Sequence, residues 1–275
     1  MVTDRVPTAL VTGASSGLGA AFARRLADDG YGLVLVARDA ARLTALAEDL
    51  STSYGTTVQV LAADLTDPES RQTVVERLQV RPGPAGEDVP IQLRPVDLLV
   101  NNAGMANRAD FWNASYELLR DELELNVVAV LALTHAVLPG LLERGAGGVI
   151  NVASVAGMVP GRGSTYSAGK AWVISLSEGL SVGLAGTGVR VLALCPGFIR
   201  TEFHQRAGID MSSAPSFVWL SADDVVDHGL RALAQDAVVS VPSLRYKVVV
   251  ILVKLLPRRL VRRFGNRVGN AQGRT

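Results

Sequence analysis

The chain has 275 residues, 48% of them hydrophobic and 19% charged, which is enough apolar material for one sizeable core and places it far from the disordered regime. Its formal net charge of +1 gives no overall bias toward nucleic acid or a membrane surface, and its single cysteine, Cys195, excludes an intramolecular disulfide and argues against a Cys/His zinc site. The charge is uneven, with nine basic residues and no acidic one from Arg245 onward, against 18 basic and 26 acidic before it.

The N-terminus, Met1-Val2-Thr3-Asp4-Arg5, has no apolar stretch ahead of a small-residue cleavage site, so no secretory signal is expected. With a lone thiol, this points to a reducing, cytoplasmic setting. Short Val- and Leu-rich runs then recur at 9–11, 32–37, 58–62, 96–100, 149–152, 189–194 and 238–241, and helix-length amphipathic segments separate them. Buried runs alternating with helical periods predict parallel strands joined by crossover helices. The expected fold is therefore α/β, a single Rossmann-type doubly wound domain with a parallel sheet of about seven strands.

After the first run comes Thr12-Gly13-Ala14-Ser15-Ser16-Gly17-Leu18-Gly19, opening a helix that extends to about Asp29. Glycines there let the backbone turn sharply and approach a pyrophosphate, whose charge meets the positive end of the helix. At the end of the second run, an acidic residue would suit a free ribose 2′-hydroxyl, but the sequence has Ala37-Arg38. A guanidinium at Arg38 can pair with a 2′-phosphate, and Asp39 is placed to cap the next helix. Asp64-Leu65 follows the third run and Asn101-Asn102-Ala103-Gly104 the fourth, at the same predicted end of the sheet.

The Pro/Gly-rich stretch 80–95 reads as a surface loop away from the chemistry. Ser154 follows the fifth run, and Tyr166-Ser167-Ala168-Gly169-Lys170 opens the next helix, with Tyr166 and Lys170 on one face. Arginine outnumbers lysine 24 to 3, and Lys170 is the only lysine before position 247, which implies a task for a compact ammonium. The irregular stretch 197–221 reads as a substrate lid containing Phe198, Ile199, Phe203, Met211, Phe217, Val218 and Trp219. His135, His204 and His228 show no mutual metal spacing and read as structural or surface residues, so no metal is expected.

Domain boundaries follow as 1–244 for the dinucleotide-binding unit with its lid and 245–275 for a basic amphipathic tail. The apolar stretch Val248 to Leu256 is broken by Lys254 and is too short to span a bilayer. The tail has two readings, a segment lying on an anionic membrane or an element docked on the body or on a second subunit. The second is preferred.

Taken in order, the Thr-Gly-x-x-x-Gly-x-Gly turn, Asn101-Asn102-Ala103-Gly104, Asn126, Ser154, Tyr166-x-x-x-Lys170 and Pro196-Gly197 leading to Thr201 resemble the short-chain dehydrogenase/reductase family over about residues 6–240. The resemblance implies an NADP(H)-dependent oxidoreductase interconverting a carbonyl and an alcohol. Tyr166 would act as proton donor or acceptor, Ser154 would bond the substrate oxygen, and Asn126 would hold a water linking lysine to solvent. Lys170 would lower the Tyr166 pKa together with the cationic nicotinamide and grip the nicotinamide ribose. Pro196, Gly197, Ile199 and Thr201 would border the nicotinamide. The apolar lid and tail favour a lipidic ketone or aldehyde, such as a 3-oxoacyl or steroid-like compound, and a homodimer or homotetramer is expected. The alternatives are an NAD-dependent alcohol or hydroxysteroid dehydrogenase and a non-catalytic nucleotide-sensing or membrane-surface protein.

Overall fold

Each predicted run becomes a strand: β1 (Thr8–Thr12), β2 (Gly32–Ala37), β3 (Val58–Ala62), β4 (Leu98–Asn101), β5 (Gly147–Val152), β6 (Val189–Leu194) and β7 (Val239–Ser240). The structure is a computed structural model that describes residues 6–81, 89–107, 109–159, 165–203 and 215–256. All seven strands are parallel, in the order β3-β2-β1-β4-β5-β6-β7. Between them run α1 (Gly17–Asp28), α2 (Ala40–Tyr54), α3 (Pro68–Leu78), α4 (Tyr116–Leu123), α5 (Ala129–Arg144), α6 (Thr165–Gly183) and α7 (Ala222–Ala234), and α8 (Leu244–Leu255) closes the described chain.

Alternation along the strands assigns the two faces. Ala9 and Val11 of β1, with Leu33, Leu35, Val100, Ile150 and Leu192, pack against α1, α2 and α7, whereas Leu10, with Val34, Leu99, Val149 and Val191, packs against α3 and α5. A sheet covered on both faces explains why the strands read as continuous apolar runs. Helix starts follow their sequence signals: Asp39 accepts from the Arg42 N–H, and Asp67 caps α3 ahead of Pro68 at its first turn, each contributing about 1 kcal/mol.

Because the order reverses at β1 and β4, the C-terminal ends of these strands flank a crevice where such sheets bind ligands. A π turn, Glu124–Val128, joins α4 to α5. The helical run Tyr116–Arg144 has the length and hydropathy of a membrane span, yet half of that apolar window is buried inside the domain.

The segment read as a basic tail begins with α8, which lies against the body. Tyr246 packs with Val130, Ala153, Val173 and Cys195, and the Arg245 guanidinium donates to the Phe217 carbonyl. The middle of the lid (204–214, with His204 and Met211), residues 82–88 of the Pro/Gly-rich loop and residues 257–275 of the tail lie outside the described residues.

Candidate active site

Every candidate site residue lies beyond the C-terminal end of a strand or on a helix packed there. Gly13, Ser15 and Ser16 form the turn after β1, and Gly17, Leu18 and Gly19 form the first turn of α1. Gly13 and Gly17 have positive φ, and a Cβ on Gly19 would meet the Gly13 carbonyl oxygen at 2.2 Å. Ser16, the N-cap of α1, makes no side-chain capping bond, which leaves the first amides of the helix for an anion. Thr201 sits on this turn, 3.1 Å from where a Cβ on Gly17 would lie.

Arg38 stands just past β2, 76% exposed at its side chain, 3.8 Å from the Asp64 carboxylate. Burial would raise the Asp64 pKa, but bonds from the Thr66 N–H and hydroxyl, with the Arg38 charge, hold it below the usual value. The neighbouring Leu65 is buried, and its carbonyl accepts from Arg71, which also pairs with Glu124 of the π turn at 2.9 Å.

Buried Thr12 organises the segment after β4. Its hydroxyl accepts the N–H groups of Asn102 and Ala103, both at 2.9 Å, while the Asn102 amide donates to the Thr12 carbonyl at 2.9 Å. Asn126 is buried on the π turn, where such irregular turns often mark functional positions. Its side-chain amide is bound at both ends by Met105, accepting from the N–H at 3.0 Å and donating to the carbonyl at 2.7 Å. Gly104 keeps the volume beside it open, since a Cβ there would lie 3.0 Å from Asn126 Oδ1 and 3.5 Å from Lys170 Nζ.

Ser154 follows β5 and hydrogen-bonds the Tyr166 phenol, while its Oγ also accepts from the Ala156 N–H. Lys170, one turn along α6 from Tyr166, is buried and donates from Nζ to the Val152 carbonyl at 2.6 Å, 5.7 Å from the centre of the Tyr166 ring. Burial pushes the Tyr166 phenol up to about 12, against the Ser154 bond and with help from the charges of Glu122 and Cys195. Burial lowers Lys170 to about 8, opposed by those same two groups. Within the protein's own environment burial dominates and raises the Tyr166 pKa, whereas the lowering expected of Lys170 together with a cationic nicotinamide belongs to the loaded site. Beyond β6, the Pro196 carbonyl accepts from the Val155 N–H at 3.1 Å, Gly197 lies under the Tyr246 ring, and Ile199 pairs with Leu220.

Two residues in the site, Glu122 and Tyr246, carried no local sequence signal. Glu122 reads as one charge among many in Arg120-Asp121-Glu122-Leu123-Glu124, yet it is buried. Its carboxylate accepts from the Thr165 hydroxyl and the Asn107 amide, each at 2.6 Å, tying the segment after β4 to the start of α6. Burial raises its pKa against these bonds and the Lys170 charge. Phe203 places its ring 6.0 Å from that of Tyr166, and Tyr246 arrives from α8.

Comparison with known proteins gives the family and the fold. The sequence profile of the short chain dehydrogenases matches residues 7–211. The chain is 39% identical to sulfoacetaldehyde reductase 2 of Chromohalobacter salexigens, over 79% of this chain and 84% of that one. A short-chain dehydrogenase from Sphingobium yanoikuyae, solved in complex with NADPH, superimposes with a TM-score of 0.77 at 35% identity, over 97% of this chain and 95% of that one. The bulky-bulky ketone specific alcohol dehydrogenase of Comamonas testosteroni gives a TM-score of 0.74 at 31% identity, over 97% and 94%. The chain belongs to the short-chain dehydrogenase/reductase family, oxidoreductases that interconvert carbonyls and alcohols with a nicotinamide cofactor.

Proposed function

We propose that the protein is an NADP(H)-dependent reductase of an apolar ketone or aldehyde, acting in the cytoplasm as a homodimer or homotetramer. The observation that carries this reading is the Tyr166 phenol, hydrogen-bonded to Ser154 beside the buried Lys170, at the strand ends that also present the glycine turn. The uncapped start of α1, and a Gly19 whose Cβ would fill the cradle, fit a dinucleotide pyrophosphate. Gly13, Ser15, Ser16, Gly17, Leu18 and Gly19 would hold it, with Asp64, Leu65, Asn102, Ala103 and Gly104 lining its path. Tyr166 and Lys170 would hold the nicotinamide ribose, and Pro196, Gly197, Ile199 and Thr201 would border the ring. When bound, the nicotinamide supplies or accepts the hydride.

In reduction, the Ser154 hydroxyl orients the substrate oxygen, and Tyr166 gives that oxygen its proton as negative charge develops. A phenol near 12 is a stable donor in neutral solution. Lys170, near 8, is the more acidic of the two and lies one turn along α6 from Tyr166, so it is the group that can resupply a proton to the tyrosinate. Reductive turnover should therefore be flat at lower pH and fall as pH rises through about 8, where the ammonium is lost while the phenol stays protonated. A profile of kcat against pH checks this, and a plateau continuing past pH 10 contradicts it.

Arg38 supports NADP(H) over NAD(H), because β2 ends at Ala37 and a guanidinium follows where an acidic residue would suit a free ribose hydroxyl. A charge-assisted bond contributes about 1.5–3 kcal/mol, so Arg38→Ala should weaken NADPH binding roughly tenfold or more and leave NADH nearly unchanged. Equal losses would make Arg38 structural.

Oxidation of NADPH against a panel of steroid ketones, 3-oxoacyl thioesters, bulky aryl ketones and sulfoacetaldehyde tests the substrate. The exposed Phe198 and Phe217, with Trp219 packed on Phe198 at 6.3 Å, favour the apolar members. Preference for sulfoacetaldehyde would overturn the apolar reading, a preference for NADH would favour the NAD-dependent alternative, and binding without turnover would favour a nucleotide sensor.

A further inference from the structure

The lid has two limbs, 198–203 and 215–221, held by a very short ladder. The Leu220 N–H donates to the Phe198 carbonyl at 2.8 Å, the Arg200 N–H donates to the Leu220 carbonyl at 3.3 Å, and Ile199 and Leu220 pair in parallel. The next rung is supplied by a side chain from outside the lid. The Tyr246 hydroxyl accepts the Phe198 N–H at 3.2 Å and donates to the Val218 carbonyl at 2.7 Å, so a single group satisfies one limb as acceptor and the other as donor.

The ring of Tyr246 is equally constrained. It covers Gly197 so closely that a Cβ there would fall 2.2 Å from it, and it packs in the same cluster as Ala153, which precedes Ser154, and Trp172 of α6. The first limb then runs from this anchor to Phe203, whose ring rests near that of Tyr166. Burial raises the Tyr246 pKa, against the Phe198 bond and the Arg245 charge, which keeps the phenol a donor throughout the neutral range.

We propose that Tyr246 is a positioning residue for the substrate side of the site, its hydroxyl completing the ladder between Phe198 and Val218 over Gly197, which makes the first turn of α8 part of the active-site wall. The inference deepens the reductase reading and rests on it for its kinetic consequence. The geometric part stands separately.

Tyr246→Phe keeps the ring over Gly197 and removes both bonds. In the full-length, NADPH-loaded protein, amide exchange should accelerate in peptides covering 198–203 and 215–221 by roughly tenfold, the scale of one or two lost hydrogen bonds, with the strands unchanged. KM for the best ketone of the panel should rise several-fold, kcat should change less, and the NADPH Kd should stay within about threefold. Tyr246→Ala should enlarge both effects. Unchanged exchange in the two limbs overturns the proposal, and so does acceleration spread over the whole domain with a lower Tm, which assigns Tyr246 to general stability. If no carbonyl is turned over by the unmodified protein, the reductase reading fails while the exchange result still decides the role of Tyr246. If turnover is present and neither KM nor lid exchange moves, only the positioning inference fails.

Discussion

Tyr166→Phe should lower turnover in both directions by about 10²–10⁴-fold, the usual contribution of a positioned general acid, and leave the NADPH Kd within a few fold. The substitution removes one hydroxyl from a ring already held by its place on α6 and by Phe203, so the site should keep its shape. What disappears is the proton for the substrate oxygen and the partner of Ser154. Ser154 remains accessible to a substrate, and its Oγ still accepts the Ala156 N–H, so carbonyl binding should survive. Single-turnover mixing with preloaded NADPH separates the two effects: the chemical step should collapse while cofactor binding, read from nicotinamide fluorescence, persists. A mutant retaining a tenth of the normal rate would move the proton-donor role elsewhere. Glu122 would be examined next, since it is a buried acid whose charge contributes to the Tyr166 pKa.

Much of the fold was legible because a sheet buried on both faces leaves long apolar runs. Two of the boundaries that moved did so for a polar reason. The fourth strand was expected at 96–100 and lies at Leu98–Asn101, because Asn101 is buried by donating to Thr134 and Asn151 across neighbouring elements. Thr8 and Thr12 likewise extend β1 beyond its apolar centre, and Thr12 proves to hold the segment after β4 in place. The candidate site was legible where its chemistry is local, in the glycine turn and in the four-residue spacing of Tyr166 and Lys170. It was not legible where residues meet across the chain. Glu122 reaches Thr165 43 positions away, and Tyr246 reaches Phe198 48 positions away, and neither has a spacing that single-sequence periodicity can register. The upward push of burial on the Tyr166 pKa was not legible for a similar reason, since it depends on which distant elements close around the phenol.

Lys170→Arg should be nearly as damaging to turnover as loss of the phenol, with a drop of at least about a hundredfold in kcat, although formal charge is conserved. The native side chain is only 4% exposed, and its ammonium fits against one carbonyl, that of Val152, at 2.6 Å. A guanidinium carries five N–H donors in a rigid plane, and most of them would find no acceptor in that space, at a cost of about 1–3 kcal/mol for each buried donor left unmet. The side chain would have to displace Val152 or swing away from Tyr166. Proton return fails in either case, because a guanidinium does not release its proton near pH 8 as the buried lysine does. The variant should therefore show a low kcat and no decline through about pH 8, together with a lower Tm. The pH profile distinguishes this from simple misfolding, since a merely destabilised enzyme would keep the limb of the native profile at reduced amplitude. Near-normal turnover with that limb intact would show that charge alone suffices at this position.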